Sequence, residues 1–194
     1  MPYGLMPLGD QYNSHGIQFQ NVPPERMCDC VHPCRVDTCI NARSYMFCDV
    51  YCSPFSGLCG NGLEPSRDLA LVRNETTTEF TVAATHTIDA NVVVGEYLGK
   101  MTLDTMKAGD RPKNKGYRFC MHQDPDHPAG TRVCIDAIKY SNLLRFVNHS
   151  CFPNARFRQV HNGDLHTVVI VTNRRLERSD ELLVDYGDNL WFMC

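Results

Sequence analysis

The chain has one tryptophan among 194 residues and no apolar run near the ~18 residues that a membrane-spanning helix needs. It also has no surplus of positive charge: the formal net charge is −3, which argues against a surface built to grip phosphate backbones throughout. The opening MPYGLMPLGD has neither the basic start nor the long apolar segment of a secretory signal, so none is expected there. Internal repeats and low-complexity tracts are missing, and glycine does not occur between Gly62 and Gly95. Hydrophobic content of 43% and charged content of 21% are ordinary for a globular chain with one packed core and a small additional module.

Cysteine is what the chain has in excess. Seven of its 11 cysteines fall between Cys28 and Cys59, and the others, Cys120, Cys134, Cys151 and Cys194, are scattered. The cluster reads Cys28-x-Cys30-x3-Cys34-x4-Cys39-x8-Cys48-x3-Cys52-x6-Cys59. Tetrahedral zinc takes four ligands, so two ions need eight positions, and seven thiolates suffice if one bridges. Cys34, between the tight first pair and the later group, is the expected bridge. One ion would take Cys28, Cys30, Cys34 and Cys39, the other Cys34, Cys48, Cys52 and Cys59. A disulfide framework is the alternative, but it prefers an even count and an oxidising compartment. His32 is a candidate extra ligand, and Arg26, Arg35 and Arg43 lie close enough in sequence to offset the negative charge of a thiolate cluster. The segment is dense in turn formers and poor in periodic apolar residues, so metal would have to supply its folding energy, about 10–16 kcal/mol for structural zinc.

From about Glu79 onward the pattern changes to short β-branched and aromatic runs bounded by turn residues. Strands are expected at Phe80–Ala84, Asn91–Tyr97, Tyr117–Met121, Arg132–Asp136, Ala155–Val160, Leu165–Thr172 and Glu181–Asp185. Asn162-Gly163 marks a tight hairpin turn between two of them. A helix is expected at Leu103–Ala108 and a turn or two around Lys139–Leu144. The class is mostly β, several short sheets with few short helices, preceded by the small cysteine-rich zinc module. Cys120 and Cys134 are expected as small core residues.

Four blocks in the larger part suggest an activity: Val94-Gly95-Glu96-Tyr97-Leu98-Gly99, Val133-Cys134-Ile135-Asp136-Ala137, Arg145-Phe146-Val147-Asn148-His149-Ser150-Cys151-Phe152-Pro153-Asn154, and Glu181-Leu182-Leu183-Val184-Asp185-Tyr186-Gly187. In this order they resemble SET-domain protein-lysine methyltransferases, whose signature reads RFxNHSCxPN and whose ending reads ELxxDYG. The cysteine segment resembles the AWS module that precedes SET in one branch of that family and holds two zinc ions. The resemblance implies S-adenosylmethionine as methyl donor, Tyr186 as catalytic tyrosine and Tyr117 as an aromatic of the catalytic channel. It implies Asn148 and His149 as cofactor-binding residues, and Phe157 and Val184 as residues of the substrate channel. Val184 stands where relatives often carry an aromatic and Phe157 is expected to fill that space; a phenylalanine anchors no water as a tyrosine hydroxyl would, so more than one methyl per lysine is expected. Arg145 is expected to support the local fold.

The implied organisation is an N-terminal extension over 1–27, an AWS-like zinc module over 28–62, a SET domain over 63–187 and a tail over 188–194. The implied partner is a basic protein tail, a histone or nucleosome, in the nucleus on the chromosome. No membrane and no sequence-specific nucleic-acid contact are expected. Two departures stand out. The family's Gly-x-Gly turn falls on Glu79-Phe80-Thr81, where side chains would narrow the approach to the cofactor. After Cys151 only Cys194 follows, too few for a third zinc, so either 188–194 is a truncated post-SET segment or the site closes without metal, with Trp191 and Phe192 as an apolar lid. These departures motivate a rival expectation, a noncatalytic SET-like binding module with a decayed cofactor site.

Overall fold

The structure, a computed structural model, describes residues 4–23, 27–55, 59–73, 75, 78–105, 116–122 and 127–187. Its elements in chain order are β1 (Met6–Pro7), α1 (Ile40–Arg43), β2 (Leu69–Arg73), β3 (Phe80–Ala84), β4 (Val93–Glu96), β5 (Lys100–Thr105), β6 (Arg118–Cys120), β7 (Thr131–Asp136), β8 (Tyr140–Ser141), a 3-10 turn (Leu143–Phe146), β9 (Asn148–His149), β10 (Ala155–Asn162), β11 (Leu165–Thr172) and β12 (Leu183–Val184). Among the described residues these form small sheets: β10-β11-β4, β5-β7-β6, β2-β3, and the parallel pairs β12-β9 and β1-β8. The fold is mostly β, as its many short β-branched runs dictate.

The β10-β11 hairpin is the longest piece of regular structure and pairs from Ala155↔Thr172 to Asn162↔Leu165. Its two-residue turn is Gly163-Asp164, one position later than Asn162-Gly163, because Asn162 is held in the ladder while Gly163 takes the positive φ of +61°. Strand β11 is buried on both faces from His166 to Thr172. Val168 and Ile170 point into the main core with Val82, Val94, Ile135 and Leu182, whereas Val169 and Val171 point the other way. That second face, completed by Val93 and Val160, packs against the cysteine segment and its Val36, Ala42 and Phe47. The cysteine module is therefore the lid of a sheet, not a bead beside it. Arg158 adds a polar tie, donating from Nη2 to the Ala42 carbonyl and lying 4.6 Å from the Tyr45 ring centroid. Gly60 permits the closest approach, since a Cβ there would stand 2.5 Å from the Cys34 carbonyl oxygen.

Ile170 is fully buried in the main core, so Ile170→Ala leaves a cavity. Denaturant unfolding should show a loss of about 2–5 kcal/mol.

Two expectations need correction. Leu103–Ala108 is no helix: Lys100–Thr105 is a strand antiparallel to β7, and 106–108 lie outside the described residues. Met101 and Leu103 share one face of this strand, which is buried at Met101 and opens to solvent at Leu103, 50% exposed. Cys120 and Cys134 are not independent core thiols. They oppose each other across β6 and β7, with Cα atoms 4.0 Å apart, and form a disulfide. The N-terminal stretch packs onto the larger part of the chain. Gln11 donates to the Tyr97 carbonyl at 2.9 Å and to Thr167 Oγ1 at 3.1 Å, and Ile17 is buried in the main core.

Candidate active site

Two sequence-distant segments meet where β9 and β12 run parallel, with Leu183 beside Asn148 and Val184 beside His149. Buried Asn154 fastens them: its Nδ2 donates to the Glu181 carbonyl at 2.7 Å and its Oδ1 accepts from the Leu183 amide at 2.8 Å. An asparagine suits this place because one side chain both donates and accepts. The Glu181 carboxylate accepts from Asn148 Nδ2 at 2.8 Å and from Thr81 Oγ1, tying β9 to β3. His149 Nδ1 accepts the Tyr186 amide at 3.0 Å, which fixes the ring and the chain entering Tyr186.

Two cavities open on either side of Tyr186. One, of about 610 Å³, is lined by Glu79, Phe80, Tyr117, Phe146, Asn148 and His149. The other, of about 500 Å³, has walls from Tyr97, Phe119, Val147, Ala155 and Phe157. Tyr186 and Arg145 line both. The Tyr186 hydroxyl donates to the Val147 carbonyl, which aims it along the second cavity wall. Burial, then the proximity of Tyr117 and Glu181, pushes the Tyr186 phenol up to about 12. Tyr97 is shifted upward by burial as well, and its hydroxyl donates to the Tyr117 carbonyl at 3.0 Å. Both phenols therefore stay neutral donors at physiological pH. Tyr97 and Phe119 meet Phe157 with ring centroids 5.4 and 5.1 Å away, forming an aromatic wall.

The structure thus brings Tyr186, Tyr117, Asn148, His149 and Phe157 around one pair of cavities. Tyr117 lines the Asn148 side rather than the Phe157 side, with its ring 4.0 Å from the Arg145 guanidinium carbon. Val184 is fully buried in the main core and lines neither cavity. Glu79 and Phe80 do line the Asn148 cavity, at the place where sequence comparison put the missing glycine turn. Arg145, Glu181 and Asn154 belong to the site's framework without an assigned site role from sequence. Their signal was their presence inside the two motifs, and only the pairing of β9 with β12 converts it into geometry. Trp191, Phe192 and Cys194 lie outside the described residues.

The seven clustered cysteines are all free thiols, which sets aside the disulfide alternative. Cys28, Cys30, Cys34 and Cys39 have sulfurs within 4.8 Å of one another, as do Cys34, Cys48 and Cys59. Zinc–thiolate bonds of about 2.3 Å in a tetrahedron put sulfurs roughly 3.8 Å apart. The Cys28–Cys34 separation of 3.4 Å suits such a cage, and Cys39 lies 3.6 Å from Cys48 of the other set, so the two sets adjoin. Cys34 belongs to both sets. Cys52 and His32 join neither set, although Cys52 is buried beside them and accepts from the Asp49 amide at 3.4 Å. Asn61 Nδ2 donates to Cys48 Sγ at 3.3 Å, the kind of outer contact that steadies a ligating thiolate. Arg35 reaches Asp37 at 3.4 Å instead of the sulfurs, and Arg26 lies outside the described residues.

Comparison with known proteins gives a match to the SET domain over residues 79–187. The "Histone-lysine N-methyltransferase, H3 lysine-4 specific" of Schizosaccharomyces pombe is 33% identical over 110 residues, which are 53% of this chain and 11% of that protein. The "Histone-lysine N-methyltransferase, H3 lysine-36 specific" of Cryptococcus neoformans is 28% identical over 177 residues, 83% of this chain and 20% of that protein. The chain spans a fifth or less of the length of these relatives. Among solved structures, KRYPTONITE in complex with mCHH DNA, an H3(1-15) peptide and SAH superposes with a TM-score of 0.63 at 22% identity. That likeness covers 96% of this chain and 42% of the other.

Proposed function

Because the chain belongs to the SET-domain family, we propose that it is a protein-lysine methyltransferase with its cofactor on the Asn148 side of Tyr186 and its target lysine on the Phe157 side. The observation that carries this reading is the shared position of Tyr186, which walls both cavities at once. S-adenosylmethionine would supply a methyl group made electrophilic by its sulfonium. A cavity of about 610 Å³ is of a size that such ligands occupy. Tyr97, Phe119, Phe157 and Tyr186 enclose the approaching amine in aromatic carbon, which disfavours the ammonium form and excludes water. The Tyr186 hydroxyl, held by the Val147 carbonyl, orients methyl and amine for in-line displacement. A KRYPTONITE structure with SAH and an H3 peptide, and relatives named for histone H3, favour a histone tail as target and the chromosome, in the nucleus, as location. The DNA in that same neighbour keeps a nucleic-acid contact open alongside the histone tail. Two zinc ions on the sulfurs of 28–59 complete the assignment, with the cysteine module at 28–62 and the catalytic part at 63–187.

The test is transfer of labelled methyl from S-adenosylmethionine to nucleosomes, histone tails and other lysine-bearing proteins. Incorporation at lysine supports the reading. Neither cofactor binding nor transfer to any of them ends it.

A noncatalytic binding module is the second reading, favoured by Glu79 and Phe80 standing inside the cofactor-side cavity. Titration calorimetry separates the two. If the Glu79 carboxylate opposes the carboxylate end of the cofactor, Glu79→Gly should tighten S-adenosylmethionine about fivefold. Asn148→Ala removes a side chain that lines the same cavity and anchors to Glu181, and should weaken binding about tenfold or more. A wild type that binds no cofactor, with both variants equally silent, would favour the binding module.

A further inference from the structure

The cavity assigned to the lysine is lined by three arginines from three separate elements: Arg118 on β6, Arg145 in the 3-10 turn and Arg156 on β10. Against them stands a single lining carboxylate, Asp185, which already accepts the Gly187 amide at 2.8 Å and lies 3.7 Å from His149 Nδ1. Arg118 is balanced from outside the lining by Asp104 at 3.0 Å. Arg145 and Arg156 have no carboxylate partner among the described residues. Arg145 donates to the Ile138 carbonyl at 2.8 Å and stacks on Tyr117, and Arg156 donates to Asn173 Oδ1. The buried Nε groups of Arg118 and Arg145 also have no acceptor among the described residues. Guanidinium groups left this way attract an anion and repel a cation that must pass them.

This charge is of the wrong sign for a lysine embedded among other cations. The lysine side chain itself can enter as a neutral amine between the aromatic walls, but its neighbours stay outside, in the field of the lining arginines. An arginine or lysine there sets like charges side by side, whereas a carboxylate or phosphate finds a planar, bidentate partner. We propose that this cavity selects a lysine flanked by an anionic side chain, a carboxylate or a phosphomonoester, over a lysine set among arginines and lysines. The proposal rests on the lysine-methyltransferase reading and narrows its target. It adds a restriction that the general expectation of a basic tail does not contain.

The experiment uses the zinc-loaded protein and labelled peptides of one length with norleucine in place of the target lysine, so that binding is read without methyl transfer. The peptides differ only in the residues beside the norleucine: glutamate, phosphoserine or arginine. Fluorescence anisotropy should show the glutamate and phosphoserine peptides binding roughly tenfold tighter than the arginine peptide, a gap that shrinks as salt is raised. Phosphoserine well ahead of glutamate would identify phosphate as the preferred anion, and equality would identify any carboxylate-like group. Arg156→Glu should reverse the order, and Arg156→Gln, which keeps a donor for Asn173, should flatten it. Arg178→Glu, exposed and outside the cavity, should leave the order as it is. An arginine-flanked peptide that binds as tightly as the others, or no binding by any peptide, overturns the proposal. Lysine versions of the same peptides, assayed for methyl transfer in parallel, keep the two ideas apart. Charge order without transfer retires the methyltransferase reading alone, and transfer that prefers arginine flanks retires this proposal alone.

Discussion

Stripping zinc from the purified protein is expected to unfold far more than the cysteine segment. The β10-β11-β4 sheet has two buried faces, and the one bearing Val93, Val160, Val169 and Val171 is covered by the cysteine module. Without metal, the thiolate cluster keeps few means of holding shape, because the segment is rich in turns and its one helix among the described residues, α1, is a single turn. Structural zinc supplies about 10–16 kcal/mol of apparent folding free energy, as much as the whole stability of a typical domain. Losing it opens one face of the central hairpin to water, and Asn162, which donates to the Phe47 carbonyl at 3.1 Å, loses its partner. Elemental analysis should return about two zinc ions per chain. Chelation should then remove hydrogen-exchange protection from the Val169–Val171 amides together with that of the cysteine segment. If those amides stay protected while only the cysteine segment opens, the module is an appendage and the shared-sheet account is wrong. Cys34→Ser should release both ions and Cys28→Ser chiefly one, since only Cys34 sits in both sulfur sets.

The sequence made the sheet-forming part of the molecule legible where side-chain pattern and burial agree. Phe80–Ala84 and Leu165–Thr172 are strands at the boundaries that their β-branched runs suggest. The hairpin turn was visible in Asn162-Gly163 and shifts by one residue because Asn162 spends its amide on the cysteine module, an interaction 115 residues away in sequence. Lys100–Thr105 does carry a strand pattern, with apolar Met101 and Leu103 alternating with polar Lys100, Thr102 and Asp104, but the run is short and passes as one turn of helix. The Cys120–Cys134 disulfide needs the register of β6 against β7, and register is not written in either strand alone. The same limit applies to the site. Asn148, His149 and Tyr186 stand in recognisable motifs, yet the residues that fasten them, Asn154 and Glu181, act across the β9-β12 pairing. Val184 illustrates the converse. Its place two residues before Tyr186 suggests a channel residue, but its side chain is fully buried in the main core.

Tyr186→Phe is expected to lower turnover roughly 10²-fold or more, about 2.7 kcal/mol of lost transition-state stabilisation, with S-adenosylmethionine affinity nearly unchanged. The ring is part of both cavity walls and packs against the main core, so phenylalanine preserves the shape on each side. What disappears is the hydroxyl that the Val147 carbonyl aims, a group whose contribution is realised as methyl and amine come into line. A stopped assay under saturating cofactor gives the turnover, and calorimetry with the cofactor alone gives the affinity. The pH profile tells orientation from base catalysis. Burial raises the phenol from its usual 10 to about 12, so the hydroxyl keeps its proton up to that pH and cannot accept one from the lysine below it. Any rise in kcat/KM between pH 7 and 10 must then come from the amine, whose free pKa is about 10.4, and should persist with the same slope in Tyr186→Phe. A rise present in the wild type and lost in the variant would mean that the phenolate, not the aimed hydroxyl, performs the work.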